Sequence, residues 1–190
     1  MDLKETKIAL NKFGKKVVAE ARGILASQGK DGRLANSLKY RAETKKGSII
    51  IKFFGTDYAN FVDQGVRGAD PSAVSPNATK KGQQAPNSKF RFGSGTSRGT
   101  FDQFVKRMSD FAKKRNIRFR VQKGEQGAGQ FKKGGYDAMG YVIAKNIYSR
   151  GLAPSLFFTK PFKKYYKQLN DEMIKSYRID IINEIKKEIK

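Results

Sequence analysis

The chain contains no cysteine and no histidine. Without cysteine there are no disulfides, no thiolate nucleophile, no thiolate zinc site and no iron–sulfur cluster. Without histidine the commonest general base and metal ligand is gone, and with it every Ser-His or Cys-His catalytic pair. Carboxylate–metal and Lys/Tyr chemistry are what remain. Acidic residues are also scarce: 17 Asp and Glu stand against 40 Lys and Arg, for a formal charge of +23. Such a chain repels itself unless an anion, a nucleic acid or an acidic protein offsets the charge, which argues against an ordinary balanced metabolic enzyme. Long apolar runs are missing too. Runs such as Ile49-Ile50-Ile51 and Leu156-Phe157-Phe158 fall far short of the roughly 20 residues of a membrane-spanning helix. No apolar segment follows Met1-Asp2-Leu3-Lys4-Glu5, so we expect a soluble protein made without a targeting segment and without a membrane partner.

What is present is enough for a core. The chain has 190 residues, sufficient for one domain or one domain plus a substantial arm. Apolar residues make up only 38%, but 14 Phe and 8 Tyr supply large rings to bury.

Residues 3–28 read as an amphipathic helix: Leu10, Phe13, Val17, Ala21 and Ile24 recur at three- and four-residue steps, with Lys12, Lys15, Lys16 and Arg22 between them. Gly14 and Gly23 weaken it, and Gly29 is its stop. Residues 37–55 read as a β-hairpin turning at Thr44-Lys45-Lys46-Gly47. Leu38, Tyr40 and Ala42 alternate with charged residues on the first strand. On the second, Ile49, Ile51 and Phe53 share one face, while Ile50 and Phe54 lie on the other. A strand apolar on both faces is either central in a sheet or meets another subunit. Next, Thr56 or Asp57 is placed to cap one helical turn carrying Tyr58, Phe61 and Val62, and Gly65 ends it.

Residues 66–99 change character, with Pro71, Pro76 and Pro86 among Gly, Ser, Asn, Gln and Lys and few apolar anchors. This reads as a long basic loop. Thr100 caps a helix over residues 100–115 with the stripe Phe101, Phe104, Val105, Met108, Phe111 and Ala112. Ile117-Arg118-Phe119-Arg120-Val121 alternates like a strand, and residues 124–135 are glycine-rich without an expected element. Residues 136–148 form another helix. From Pro161 a last helix carries Phe162, Tyr165, Tyr166, Leu169, Met173, Tyr177, Ile181 and Ile185 as one stripe, with a charged tail.

No catalytic constellation emerges. Asp57 and Asp63 are close in sequence and Asp102 and Asp110 share a helix, and a metal nuclease needs such carboxylates to converge. A cap and a solvated face account for them better. Gly93-Ser94-Gly95-Thr96-Ser97-Arg98-Gly99 lacks the ending of a phosphate-binding loop. No catalytic, cofactor or metal residue is assigned, and no cofactor is expected. The basic surface is the stronger signal. Lys80, Lys81, Lys89, Arg91, Arg98, Arg118 and Arg120 are the candidate DNA-facing cations, some interleaved with rings at Lys89-Phe90-Arg91-Phe92 and Arg118-Phe119-Arg120. With rings in and cations out, they would contact backbone phosphates without reading sequence.

Three segments also resemble a known family. They are Asp31-Gly32-Arg33-Leu34-Ala35-Asn36-Ser37-Leu38 before the hairpin, Asp57-Tyr58-Ala59-Asn60-Phe61-Val62-Asp63-Gln64-Gly65 after it, and Pro154-Ser155-Leu156-Phe157-Phe158-Thr159-Lys160-Pro161 opening the last helix. In this order they resemble the small head–tail joining, or tail-completion, proteins of tailed double-stranded DNA phages. Those show T-G-x-L-x-x-S-I, a hairpin, Y-A-x-x-V-E-x-G-T, then P-x-x-F-L-x-P-A. The chain departs from them at Asp63-Gln64-Gly65-Val66 and in a much longer insertion.

Taken together, the expectation is one α+β domain over residues 1–190. A small antiparallel sheet is packed by N- and C-terminal helices, the core covers about 3–65 and 136–182, and the basic insertion about 66–135. The resemblance implies a structural virion protein: a neck, head–tail connector or tail-completion subunit, made in the host bacterial cytoplasm. Its partners would be its own copies in a homo-oligomeric ring, portal, adaptor or tail proteins, and genomic DNA held by nonspecific phosphate contact in the channel. Candidate interface residues are Tyr58, Phe61, Val62, Ile50 and Phe54, with Phe61 turned toward the core and Tyr58 toward the subunit boundary. The alternative is a nonspecific nucleic-acid-binding protein. Neither reading is an enzyme.

Overall fold

A computed structural model describes residues 3–30, 32–45, 48–73, 82–95, 99–121, 124, 126–132 and 135–189, the side chain of Lys45 excepted. The fold is α+β. In chain order its elements are α1 (Lys4–Ser27), α2 (Arg33–Ser37), β1 (Lys39–Lys45), β2 (Ser48–Phe54), α3 (Ala59–Gln64), β3 (Val66–Arg67), α4 (Phe101–Lys114), α5 (Tyr136–Arg150), β4 (Gly151–Leu152) and α6 (Thr159–Glu188). The chain divides into two compact units, one of residues 1–63 and 155–190, the other of residues 64–154.

In the first unit α1 packs on the β1–β2 hairpin and on α6. Of the expected stripe of α1, Leu10, Phe13, Val17 and Ala21 are nearly inaccessible; its last buried position is Leu25 rather than the expected Ile24, which is only half-buried. The hairpin is antiparallel, with Tyr40 opposite Phe53 and Ala42 opposite Ile51. Its inner face holds Phe53, whose ring meets Phe13, Phe158 and Phe162 edge-on at 6.1, 5.1 and 6.0 Å between centroids. Such edge-to-face geometry sets the positive rim of one ring against the negative face of another. Gly14, expected only to weaken α1, permits its close approach to β1. A Cβ there would sit 2.3 Å from the Tyr40 ring.

The sheet of β1 and β2 has two strands, so β2 is not a central strand. Its second apolar face is open instead, with Ile50 41% and Phe54 48% exposed. The turn residues Lys46 and Gly47 lie outside the described residues.

The last helix also differs from expectation. Phe162, Leu169 and Met173 pack inward, but Tyr177, Ile181 and Ile185 are exposed rather than continuing that stripe. The buried position is Asp180, whose carboxylate accepts hydrogen bonds from the backbone N–H groups of Glu5 and Thr6 and from the Thr6 hydroxyl. Asp180 thus already faces the first turn of α1, and the later turns of α6 run past the helix on which the earlier ones pack.

The second unit corrects the expected boundaries. The helix α5, assigned to the core at 136–148, packs on α4 within residues 64–154. Their axes approach where Gly140 meets Ser109; a Cβ on Gly140 would lie 2.2 Å from the Ser109 hydroxyl. Thr100 caps α4 as expected: its hydroxyl accepts from Gln103 N–H while the Gln103 amide oxygen accepts from Thr100 N–H. Phe111, expected in the stripe of α4, is exposed.

The described parts of 66–99 are not a bare loop. A helix leaves its last carbonyls without partners, and this segment satisfies those of α5. Ala69 donates to Tyr148 O, Asp70 to Ser149 O and Gln84 to Arg150 O. The backbone at 67 also pairs with Phe90 and Phe92, and the Phe92 ring packs against Phe104 and Tyr148. The anchors missed in the sequence were these aromatic residues.

Candidate functional site

The segments that carry the family resemblance meet in the first unit. Leu34, Ala35 and Leu38 from the first segment, Ala59 and Val62 from the second, and Phe157 and Phe158 from the third share one apolar cluster with Val18, Ala21 and Leu25 of α1. The guanidinium of Arg22 ties the first segment down, donating to the carbonyls of Ala35 at 3.1 Å and Leu38 at 2.7 Å. The Ser37 hydroxyl donates to Leu34 O and accepts from Thr56 N–H, joining α2 to the end of β2.

Asp63 joins the second segment to the third. It is 4% exposed. One carboxylate oxygen accepts from Phe158 N–H at 2.8 Å and Thr159 N–H at 3.2 Å, and the other accepts from the Thr159 hydroxyl. A carboxylate is well suited here, because the first N–H groups of α6 have no intrahelical acceptor and the helix N-terminus carries partial positive charge. The Val62 carbonyl accepts from Ser155 N–H and its hydroxyl, and the Asp63 carbonyl accepts from Leu156 N–H. From the sequence alone Asp63 is only a motif position and a weak metal candidate. Asp57 is exposed, and among the described residues no group of three or more acidic side chains could hold a metal ion. Thr56 does not cap α3 with its side chain; its hydroxyl is buried without a hydrogen-bond partner among the described residues.

Beside this junction lies an open groove of about 310 Å³, whose lining includes Leu38, Phe53, Phe54, Asn60, Asp63 and Phe158. Among the interface candidates, Val62 packs into the apolar cluster, whereas Ile50, Phe54 and Tyr58 are exposed. Phe61 overturns the expected division of roles: it is 44% exposed, against 41% for Tyr58. In a six-residue helix lying on the core, Ala59, Val62 and Asp63 occupy the inward positions, which leaves Phe61 facing out.

The described DNA-facing candidates all lie in the second unit. Lys89 is exposed with its ammonium 5.1 Å from the Phe90 ring centroid. Arg91 is exposed and donates to Ala69 O at 3.2 Å. Arg118 is half-buried, with its Nε enclosed and without a partner among the described residues. Its guanidinium lies 5.5 Å from the Phe131 ring and that of Arg120 lies 4.9 Å from it. Phe131 was not singled out in the sequence. It pairs with Arg120 across an antiparallel bridge, and Val121 and Lys132 donate to Gln130 O and Phe119 O. The strand-like 117–121 therefore has its partner in the glycine-rich stretch thought to lack structure. The signal was the short run Gln130-Phe131-Lys132 placed after the glycines. Lys80, Lys81 and Arg98 lie outside the described residues.

No helix is long and apolar enough to cross a membrane among the described residues. Comparison with protein-family models, with curated proteins and with solved structures gives no match.

Proposed function

We propose that this chain is a structural virion protein of a tailed phage: a neck or tail-completion subunit that assembles in a ring between portal and tail and borders the DNA channel. One observation carries the reading. Three segments that resemble one family, the third far from the first two in sequence, pack into a single apolar cluster, and Asp63 hydrogen-bonds the second to the third. Asp63 stands where the family pattern has Glu, so the acidic character of that position is kept.

Two further features suit the role. The open face of β2, α3 and the residue before it offer Ile50, Phe54, Phe61 and Tyr58 to a neighbour, and a closed ring repeats one heterologous interface of this kind. The excess of 40 basic over 17 acidic residues suits a channel that passes DNA without reading it. Portal, adaptor or tail proteins would cover the remaining surfaces, and the mature location is the virion.

Electron microscopy of the purified full chain, alone and with duplex DNA, tests the reading. Rings with an open centre support it. A protein that coats DNA irregularly and never closes supports nonspecific nucleic-acid binding instead.

A further inference from the structure

Arg67 and Arg91 stand side by side on the outer face of the second unit. Arg67 lies on β3 between two neighbours. On one side it pairs antiparallel with Gly151 of β4. On the other it pairs parallel with Arg91: its N–H donates to Phe90 O at 2.8 Å and its carbonyl accepts from Phe92 N–H at 2.9 Å. Its backbone is thus pinned from both edges. Paired positions project their side chains from the same face, and neighbouring strands lie about 4.7–4.9 Å apart. The opposite face is the inner one, where Val66 is buried and the Phe92 ring packs against Phe104 and Tyr148. Gly151 leaves the other flank of Arg67 without a side chain.

Like charges at paired positions destabilise a sheet, and neither guanidinium has a carboxylate partner among the described residues. Arg67 is half-buried, with its Nε enclosed and without a hydrogen-bond partner. Arg91 is exposed, and one terminal nitrogen donates to Ala69 O at 3.2 Å, which draws its guanidinium toward β3. Asp70, three residues after Arg67, is turned to Ser72, whose N–H and hydroxyl donate to its carboxylate. Over residues 64–154 eighteen Lys and Arg stand against five Asp and Glu, so the unit has few acids to offer. An anion from outside relieves the repulsion. Two adjacent guanidiniums present planar N–H pairs that match phosphate oxygens in bidentate geometry. A nucleic-acid strand adds what a single anion lacks. Its phosphates repeat along the backbone, so the same strand also serves exposed Lys89, two residues before Arg91.

We propose that Arg67 and Arg91 form a phosphate clamp for the backbone of nucleic acid. The proposal rests on the nucleic-acid contact of the reading above, which turned Arg91 but not Arg67 toward DNA, and it needs no ring.

Fluorescence anisotropy of the full chain with a labelled duplex tests it. Lys106→Gln, at an exposed position on α4, sets the effect of losing one charge from the unit. Arg67→Gln and Arg91→Gln should each weaken binding about tenfold beyond that control, the scale of a lost charge-assisted bidentate contact. The slope of log affinity against log salt should flatten by about 0.9 for the phosphate given up. The double variant should lose less than the product of the two losses, because both arginines hold one phosphate. Arg67→Lys should fall nearly as far as Arg67→Gln, since an ammonium keeps the charge but not the planar fork. Without DNA, Arg67→Gln should melt no lower than the native chain, because an unpartnered cation beside a like charge is removed. If it does not fold, Arg91→Gln and Arg91→Lys, at the exposed position, carry the same comparison.

Variants no weaker than Lys106→Gln overturn the clamp and leave general phosphate contact standing. A native chain that does not bind the duplex overturns both. Early melting of Arg67→Gln with binding at the control level marks Arg67 as structural and overturns the proposal. Poly-glutamate and inorganic phosphate are the competing probes. Poly-glutamate binding that depends on Arg67 more than duplex binding does assigns the pair to an acidic protein. Inorganic phosphate that displaces the duplex from the native chain at micromolar concentration, but not from Arg67→Gln, assigns it to the free anion. Either result overturns the proposal.

Discussion

Asp63 and Asp180 each solve the same problem, the N-terminus of a long helix that lacks acceptors for its first N–H groups. Asp63 does so for α6 and Asp180 for α1. Replacing Asp63 with Ala leaves the Phe158 and Thr159 donors enclosed without their acceptor. It should cost about 2–3 kcal/mol of unfolding free energy by denaturant titration, and Asp63→Asn, which keeps one acceptor oxygen, about half that. Burial raises the Asp180 pKa, but the Thr6 hydroxyl and the two backbone N–H groups outweigh it and hold the carboxyl below its ordinary range. Its stabilising contribution is therefore complete above the unfolded value of about 3.9 and is lost as pH falls through the lower folded value. The melting difference between the native chain and Asp180→Asn should be constant near neutrality and shrink below about pH 4. Neither role was legible in the sequence. Both partners are distant along the chain, so an isolated Asp reads as a turn, a cap or a ligand equally well. The residue types around Asp63 were legible as a motif; the acceptor function required the fold.

The elements with strong local signals are the ones the residues announce by themselves. The 3.6-residue period of α1, the alternation of β1 and β2, and the Thr100–Gln103 cap of α4 each depend on neighbours a few residues away. What depends on distant partners was not announced. The described backbone of 66–73 and 82–95 reads as a loop because hydrogen bonds from Ala69, Asp70 and Gln84 go to the carbonyls at the end of α5. The stripe of α6 reads as continuous because its period persists after Asp180, although the packing changes face. Glycine in α1 shows the same division. Gly14 meets the Tyr40 ring, while a Cβ on Gly23 would meet nothing within 4 Å. Gly23→Ala should raise stability by about 0.5–1 kcal/mol through helix propensity alone. Gly14→Ala should lower it by roughly 1–3 kcal/mol through overpacking. Thermal melts of the two variants should shift in opposite directions.

Across the molecule, the two compact units carry different surfaces. The exposed apolar candidates Ile50, Phe54, Tyr58 and Phe61 belong to residues 1–63, and the described cations Lys89, Arg91, Arg118 and Arg120 belong to 64–154. Duplex DNA of unrelated sequences should bind with equal affinity, falling steeply between about 50 and 200 mM salt as released counterions lose their entropic advantage. Fluorescence anisotropy checks this, and an affinity that barely changes over that range contradicts phosphate contact. Charge alone, however, fits both a channel subunit and a free nucleic-acid-binding protein. Assembly separates them. Native mass spectrometry of the full chain should give one discrete species at a whole multiple, three or greater, of the 21.3 kDa subunit, with Tyr58→Ala reducing it to a folded monomer. A chain that is monomeric or dimeric at every concentration, with or without DNA, would contradict a ring-forming virion subunit.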